Sequence, residues 1–411
     1  MTTRRGGLLL GGAFVTFAIS AALMHSYAVF LVAFLEEFRW SRAETSLAFS
    51  VSALVSGISA PFVGALVDRL GPRRLVLLGG TVLTLGLLGS GYVHALWQIV
   101  VLYGVLTTLG ANCLGLVVFV PILSRHFVSN RGMAISIVQS ANGFARAVSA
   151  PLAQLLIFAV GWRHAYLVQA AFMGLLVWPL AALFRRDEPP APVAQPSAPP
   201  PSEGAAYARP ARRDWTLAEA VSTPHFWLLF TVYLCTGLGS FFVSLHQLAF
   251  AVDAGFDKLY AASVLGMGAL LSVGGTIVTG TISDYIGREL SAILAYAVSI
   301  VGVICALFIT GPDHAWLLWL HASFFGLTWG ARGPAITAKT ADLFPGPNLG
   351  TILGVITVGT GIGSAFGAWA AGWIFDAFGS YRLAFLASIA SYLVGCVAFW
   401  ALRRPPSRQV V

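Results

Sequence analysis

Uncharged apolar runs of 18 residues or more recur from one end of this chain to the other. Each is long enough to cross about 30 Å of hydrocarbon as a helix. The runs are continuous rather than alternating and are rich in Leu, Ala and Gly, which excludes the dyad pattern of membrane strands. Composition agrees. Hydrophobic residues make up 57% of the 411 residues and charged residues 10%, with a mean hydropathy of +0.82, where a soluble surface needs roughly a quarter charged residues. The expected fold class is an all-α polytopic membrane protein.

A pass along the chain gives about twelve spans. In the first half they lie near 7–35, 43–67, 74–93, 96–123, 132–158 and 163–184. In the second half they lie near 224–251, 259–283, 290–310, 315–340, 348–374 and 381–402. The apolar part of the N-terminus runs to about residue 35, too long for a signal peptide, so it is expected to be an uncleaved first span. Between the halves, RRDEPPAPVAQPSAPPPSEGAAYARPARRD (185–214) is rich in proline and small polar residues that build no core, and reads as a tether. The expected organisation is a six-helix bundle over 1–184, a cytoplasmic linker over 185–222 and a second six-helix bundle over 223–411. Cys113, Cys235, Cys305 and Cys396 lie inside apolar runs without metal-ligand spacing and are expected to be small packing residues.

Basic residues set the orientation. With both termini inside, about 17 Lys and Arg fall on cytoplasmic segments and about five on outer loops, while Arg146 and Arg332 fall within spans. The net charge of +8 is thereby topological and implies no nucleic-acid partner.

Against this apolar background GALVDRLGPRRLVLLGG (64–80) puts four charges into a short turn between the second and third spans. GTISDYIGRE (280–289) repeats the spacing, since Gly64, Asp68 and Gly71 match Gly280, Asp284 and Gly287 at one constant offset. Matching turns in two halves indicate an internal duplication, as in secondary carriers. The stretch Gly64-Ala65-Leu66-Val67-Asp68-Arg69-Leu70-Gly71-Pro72-Arg73-Arg74 resembles the signature loop of the major facilitator superfamily, and span count, linker, charge bias and second copy extend the resemblance over the whole chain. It implies two pseudo-symmetric six-helix bundles that rock about a central site. Asp68, Arg69, Arg73, Arg74, Asp284 and Arg288 then become gate residues, with Asp68 meeting the positive start of the eleventh helix near Asn348. Their plainer role is as topology determinants.

Three further stretches, 36–61, 131–145 and 246–256, resemble the bacterial monocarboxylate and oxalate–formate branch. That branch meets a substrate carboxylate with an arginine in the eighth span, sometimes with a lysine in the eleventh. This chain has no basic residue in 259–283 or 348–374.

A charge at mid-membrane is costly and is expected to face the interior. Gln139, Asn142, Arg146 and Ser149 share one helical face of the fifth span, and His321, Thr328, Arg332 and Lys339 share one of the tenth. Superfamily resemblance puts the first, fourth, seventh and tenth helices around the cavity. It adds His25, Tyr27, Asn112 and His246 as candidates, with Trp329 and Phe325 around an apolar substrate part and His246 or His25 as proton carriers. Each histidine is equally a partner for a helix carbonyl, and Asn112 for a neighbouring helix. Lys339 and His321 lie near the faces, where snorkelling accounts for them.

Arg332 is the leading anchor and Arg146 the second. With no acidic residue at mid-depth, two interior cations favour a small organic anion, a monocarboxylate foremost. No nucleotide-binding motif, cofactor motif or catalytic cluster appears, so the expectation is a non-enzymatic secondary transporter, monomeric, with no cofactor and no metal. It would be proton-coupled or an exchanger and lie in the inner membrane of a bacterium. An exporter of drug-like amphipathic compounds is the alternative transporter, and a non-transporting ligand sensor the alternative of another class.

Overall fold

The computed structural model describes residues 4–127, 131–184, 215–345 and 348–402, and all regular structure among them is helical. The first half comprises α1 (Arg4–His25 continued by Tyr27–Phe38), α2 (Arg42–Leu70), α3 (Pro72–Ser90), α4 (pieces spanning 96–126), α5 (131–160) and α6 (162–183). The second half comprises α7 (Pro224–Ser244 and Gln247–Asp253), α8 (Lys258–Ile286), α9 (Arg288–Leu307), α10 (Ala315–Leu327 and Arg332–Leu343), α11 (Leu349–Phe378) and α12 (Arg382–Ala401). Ten segments are long and apolar enough to cross a membrane. One of these, Ile137–Leu183, holds both α5 and α6, and α10 adds a further span divided by a break. The result is a twelve-helix, multi-pass membrane fold.

The ends of the helices follow from the sequence. Ser41 and Glu44 form a reciprocal capping box that starts α2, and Asp257 caps α8 by accepting from the Tyr260 amide at 2.9 Å. Gly71 and Gly287, the matched glycines of the two charged turns, have φ 76°, ψ 162° and φ 89°, ψ 155°. A positive φ is strained for residues with a Cβ, so each turn reverses the chain in one residue and needs glycine there. Gly161 has the same conformation (φ 77°, ψ 160°) and separates α5 from α6. A short helix, Leu217–Val221, precedes α7, and Trp215 beside it stacks edge-on against Phe344. The tether 185–214 lies outside the described residues.

Four spans are interrupted in their interior: α1 at Ser26, α4 at 113–115, α7 at 245–246 and α10 at 328–331. They are the first, fourth, seventh and tenth helices, and the two halves break at corresponding points. A broken helix frees backbone groups and redirects side chains, which membrane depth tolerates only against protein or a cavity.

The face carrying Arg4, Phe184, Trp215 and Leu402 is called the terminal face below, and the face carrying Arg42 and Asp253 the distal face. The halves meet chiefly through α2 with α11 and α5 with α8. Glycines set those distances. A Cβ on Gly372 would lie 2.6 Å from the Arg42 carbonyl carbon, and one on Gly266 would lie 2.5 Å from the Ala147 oxygen.

Candidate functional site

A cavity of about 90 Å³ lies between the halves, lined from the first by α1, α2 and α5 and from the second by α7, α8 and α10. A volume of this size holds a few water molecules or one small organic ion. Its polar lining is His25, Arg146, Ser149, Ser244 and Gln247, and its aromatic lining includes Phe49, Phe241 and Trp329.

Among the described residues Arg146 is the only lysine or arginine on this lining. The Trp329 ring, from the opposite half, covers its guanidinium with 3.8 Å from Cζ to the ring centroid. Its Nη1 is buried and has no hydrogen-bond partner. A buried N–H of a charged group without an acceptor costs several kcal/mol. The cation–π contact offsets part of that cost. Aromatic contacts continue across both halves, with Phe241 at 5.4 Å from Trp329 and Phe49 at 5.1 Å from Phe241. One turn from Arg146, Asn142 Oδ1 lies 3.3 Å from His25 Nε2, so the polar face of α5 turns toward α1 and the cavity together.

Arg332 was expected to be the anchor, and the structure places it elsewhere. It is 2% exposed inside the second half and is absent from the cavity lining. Nη1 donates to Ser299 Oγ at 2.6 Å and Nη2 to Ser240 Oγ at 3.4 Å. The rings of Tyr296 and Tyr392 flank it with centroids at 4.8 and 4.7 Å. The face that carries His321, Thr328, Arg332 and Lys339 stays one face and turns to α9: Thr328 and Arg332 both bond Ser299 Oγ at 2.6 Å, His321 meets the Gly302 carbonyl and Lys339 pairs with Glu289. Trp329, next to Thr328 in sequence, faces the cavity instead, just before the helix breaks at Gly330 (φ 77°).

Other expected residues sort in the same way. Tyr27 reaches the lining, although its hydroxyl is already donated to the Thr45 carbonyl at 2.7 Å. Phe325 is core, beside His321, whose Nδ1 is 2.8 Å from the Gly302 carbonyl. Asn112 is held within the first half, with Nδ2 donating to Ser59 Oγ at 2.7 Å and the Ser56 carbonyl at 3.2 Å, while Oδ1 accepts from Ser56 Oγ. Lys339 forms an ion pair with Glu289 at 2.6 Å, so pairing rather than snorkelling satisfies it.

His246 sits at the junction of the halves on the distal side, fully buried and off the cavity lining. Its Nε2 lies 2.9 Å from the Ala368 carbonyl and 3.1 Å from Ser46 Oγ, and its Nδ1 lies 3.1 Å from Tyr381 Oη. Tyr381 Oη in turn accepts from Arg42 Nη1 at 2.6 Å, while Arg42 Nη2 pairs with Asp253 at 2.7 Å. The Asp376 carboxylate accepts from the amides of Arg42 and Ala43 at 2.9 and 2.8 Å, capping the positive start of α2 from the other half. Lys258 pairs with Glu36 at 2.6 Å, and Ser50 donates to the Ala365 carbonyl at 2.6 Å. Among the described residues, the hydrogen bonds that join the halves thus come from residues 36–50 of the first half. This latch was not anticipated. Its one signal in the sequence is opposite charge on loops of the same face, Arg42 against Asp253 and Asp376.

At the terminal face Arg69, Arg73 and Arg74 are exposed. The side chains of Asp68 and Asp284 lie outside the described residues, and the Asn348 amide donates to the Trp215 carbonyl at 2.9 Å.

Comparison with known proteins gives one answer at two levels. The profile of the Major Facilitator Superfamily matches residues 8–338 and 323–411. Monocarboxylate transporter 13 of Rattus norvegicus is 27% identical over 394 residues, covering 95% of this chain and 87% of that protein. Monocarboxylate transporter 11 of Homo sapiens is 26% identical, covering 97% and 83%. The MFS-type transporter YcxA of Bacillus subtilis (strain 168) is 24% identical, covering 87% and 86%. Among solved structures, a bacterial homolog of the human lysosomal transporter Spinster, inward-facing and unoccupied, superposes with a TM-score of 0.75 at 14% identity, covering 99% of this chain and 100% of that one. The nucleoside transporter NupG superposes with a TM-score of 0.74 at 10% identity, covering 96% and 100%. The family profile spans nearly the whole chain, the solved structures share its fold, and the chain belongs to the Major Facilitator Superfamily.

Proposed function

We propose that this chain is a secondary transporter of a small organic monocarboxylate, working by alternating access, with Arg146 as the anion anchor. The observation that carries the reading is the unpartnered, buried Nη1 of Arg146 on a small cavity shared by both halves. A carboxylate supplies the missing acceptor, and a guanidinium meets it in a charge-assisted, bidentate way. Trp329, Phe241 and Phe49 suit the short apolar remainder. The names of the monocarboxylate transporter relatives point to the same substrate class. In this reading the branch's anchor on the eighth helix is replaced by one on α5, facing the same space from the opposite half.

The charge bias puts both termini and the terminal face in the cytoplasm, and we assign the protein to the inner membrane of a bacterium. The conformer is then closed outside by the Arg42 latch, in keeping with its likeness to an inward-facing structure. His246 belongs to that latch instead of the substrate site. In the opposite state Asp68, Arg69, Arg73, Arg74, Asp284 and Arg288 would hold the terminal face, so each set of contacts is made in one state and lost in the other.

The test is counterflow in proteoliposomes with monocarboxylates of two to four carbons, at matched protein incorporation. Wild type exchanges labelled substrate and Arg146→Ala does not. A pH gradient without internal substrate separates proton symport from exchange. Near-wild-type affinity in Arg146→Ala would remove the anchor from the proposal, and accumulation of cationic dyes in place of anions would make the chain an exporter of amphipathic compounds.

A further inference from the structure

A second concavity, of about 650 Å³, lies within the first half between α2, α3 and α4. Its wall on α2 runs from Ser59 to Arg69, a rise of about 15 Å along the helix. Phe62 and Ala65 line it from α2, Leu78 and Val82 from α3, and Leu109 from α4. Arg69 closes the terminal end and is the one charged residue among the described residues of the lining.

The opening faces away from the other half. Ser50 and Ala53 mark the side of α2 turned to α11. Phe62 comes nine residues after Ala53, half a turn round at 100° per residue, and Ala65 and Arg69 fall within about 60° of Phe62. Phe62 is 71% exposed and Leu78 48%, as suits side chains bordering lipid. The floor cannot fill in, because α3 and α4 are already in backbone contact: a Cβ on Gly110 would lie 2.5 Å from the Leu83 nitrogen and one on Gly79 2.2 Å from Cys113 Cβ.

A preformed apolar trough of this length with one cation at its membrane-surface end matches one kind of ligand. We propose that it is a phospholipid site, with an acyl chain lying along α2 and an anionic headgroup held by Arg69. Arg73 and Arg74, exposed on the first turn of α3, extend the positive field beside it. The ligand is a lipid of the leaflet at the terminal face, and the site is independent of the carboxylate cavity.

The test is native mass spectrometry of the full-length protein in detergent with an equimolar mixture of phosphatidylglycerol and phosphatidylcholine. Wild type should retain one phosphatidylglycerol in preference to phosphatidylcholine. Arg69→Gln should lower phosphatidylglycerol retention about fivefold, corresponding to about 1 kcal/mol per arginine at a membrane surface, and leave phosphatidylcholine unchanged. Ala65→Phe, which fills the trough and keeps the charge, should lower retention of both. Equal retention of the two lipids by wild type overturns the proposal without recourse to any variant. A loss in Arg69→Gln with none in Ala65→Phe also overturns it, because the headgroup would then be adsorbing to the loop alone. Thermal unfolding of each variant beside wild type guards against misfolding as the cause.

Discussion

Arg146 and Arg332 are two guanidinium groups within spans of the same membrane protein, and their surroundings differ in what they leave unfinished. Around Arg332 the second half supplies two serine hydroxyls and two tyrosine rings. Among the described residues only Nε lacks an acceptor, and the residue is 2% exposed and off the cavity lining. Around Arg146 the first half supplies no acceptor for Nη1, and the one ring against the guanidinium belongs to the other half. A buried charge that its own bundle satisfies fixes that bundle. One left unsatisfied at a boundary between moving halves is available to a third party. The lesson is that intramembrane charge marks a site only when its partners are incomplete.

The sharpest way to break this comparison is Arg146→Ala. Loss of a buried charge-assisted pair costs about 2–5 kcal/mol, so monocarboxylate affinity should fall roughly 30- to 5,000-fold, with abundance and melting temperature nearly unchanged. Arg146→Lys should recover little, since an ammonium keeps the charge and loses the planar fork. Isothermal titration on purified protein reads both.

Arg332→Ala should do the reverse. Removing the side chain leaves Ser299, Ser240 and both tyrosines around a void, at a cost of about 2–4 kcal/mol to the folded state. The melting temperature should drop by several degrees, while the folded fraction binds substrate within about twofold of wild type. Lost binding at unchanged stability would return Arg332 to the site and sink the distinction.

Trp329→Leu tests the contribution of the other half to the anchor. A desolvated cation–π contact is worth about 1–2 kcal/mol. Substrate affinity should fall about 5- to 30-fold, measured by competition in counterflow. No change would mean that the second half takes no part in holding Arg146.

The smallest expected effect is that of Asn112→Ala. Asn112, like Arg332, is bonded within its own half, and an inter-helix bond of this kind contributes about 1 kcal/mol or less in membranes. A slight fall in melting temperature with unchanged affinity is expected. An affinity loss beyond about fivefold would place Asn112 on the substrate path.

Much of the architecture was legible because it follows from local rules. Helix number comes from the length of apolar runs, and the duplicated turns show in Gly71 and Gly287, which only glycine suits at positive φ. The polar face of α5 was legible too, since α5 is regular from Gln139 to Ser149 and helical arithmetic holds along it. On α10 the same arithmetic found the shared face but not its neighbour, because His321, Thr328, Arg332 and Lys339 all turn to α9 rather than to the cavity. In α7 a break at 245–246 turns His246 to the latch and leaves Ser244 and Gln247, which were not singled out, on the cavity.

By itself, then, the sequence determined that this chain crosses a membrane many times, that its halves are related, and which few residues carry charge at depth. Those are properties of single helices in a uniform apolar solvent. Which buried cation was satisfied and which was left open depended on the neighbours each one met. Ser240, Ser299, Tyr296 and Tyr392 stand 33 to 92 residues from Arg332, and Trp329 reaches Arg146 from the opposite half. Only the tertiary structure decided that, because satisfying a polar group is a matter of distances under about 3.5 Å between groups from different helices, which no periodicity along one helix contains.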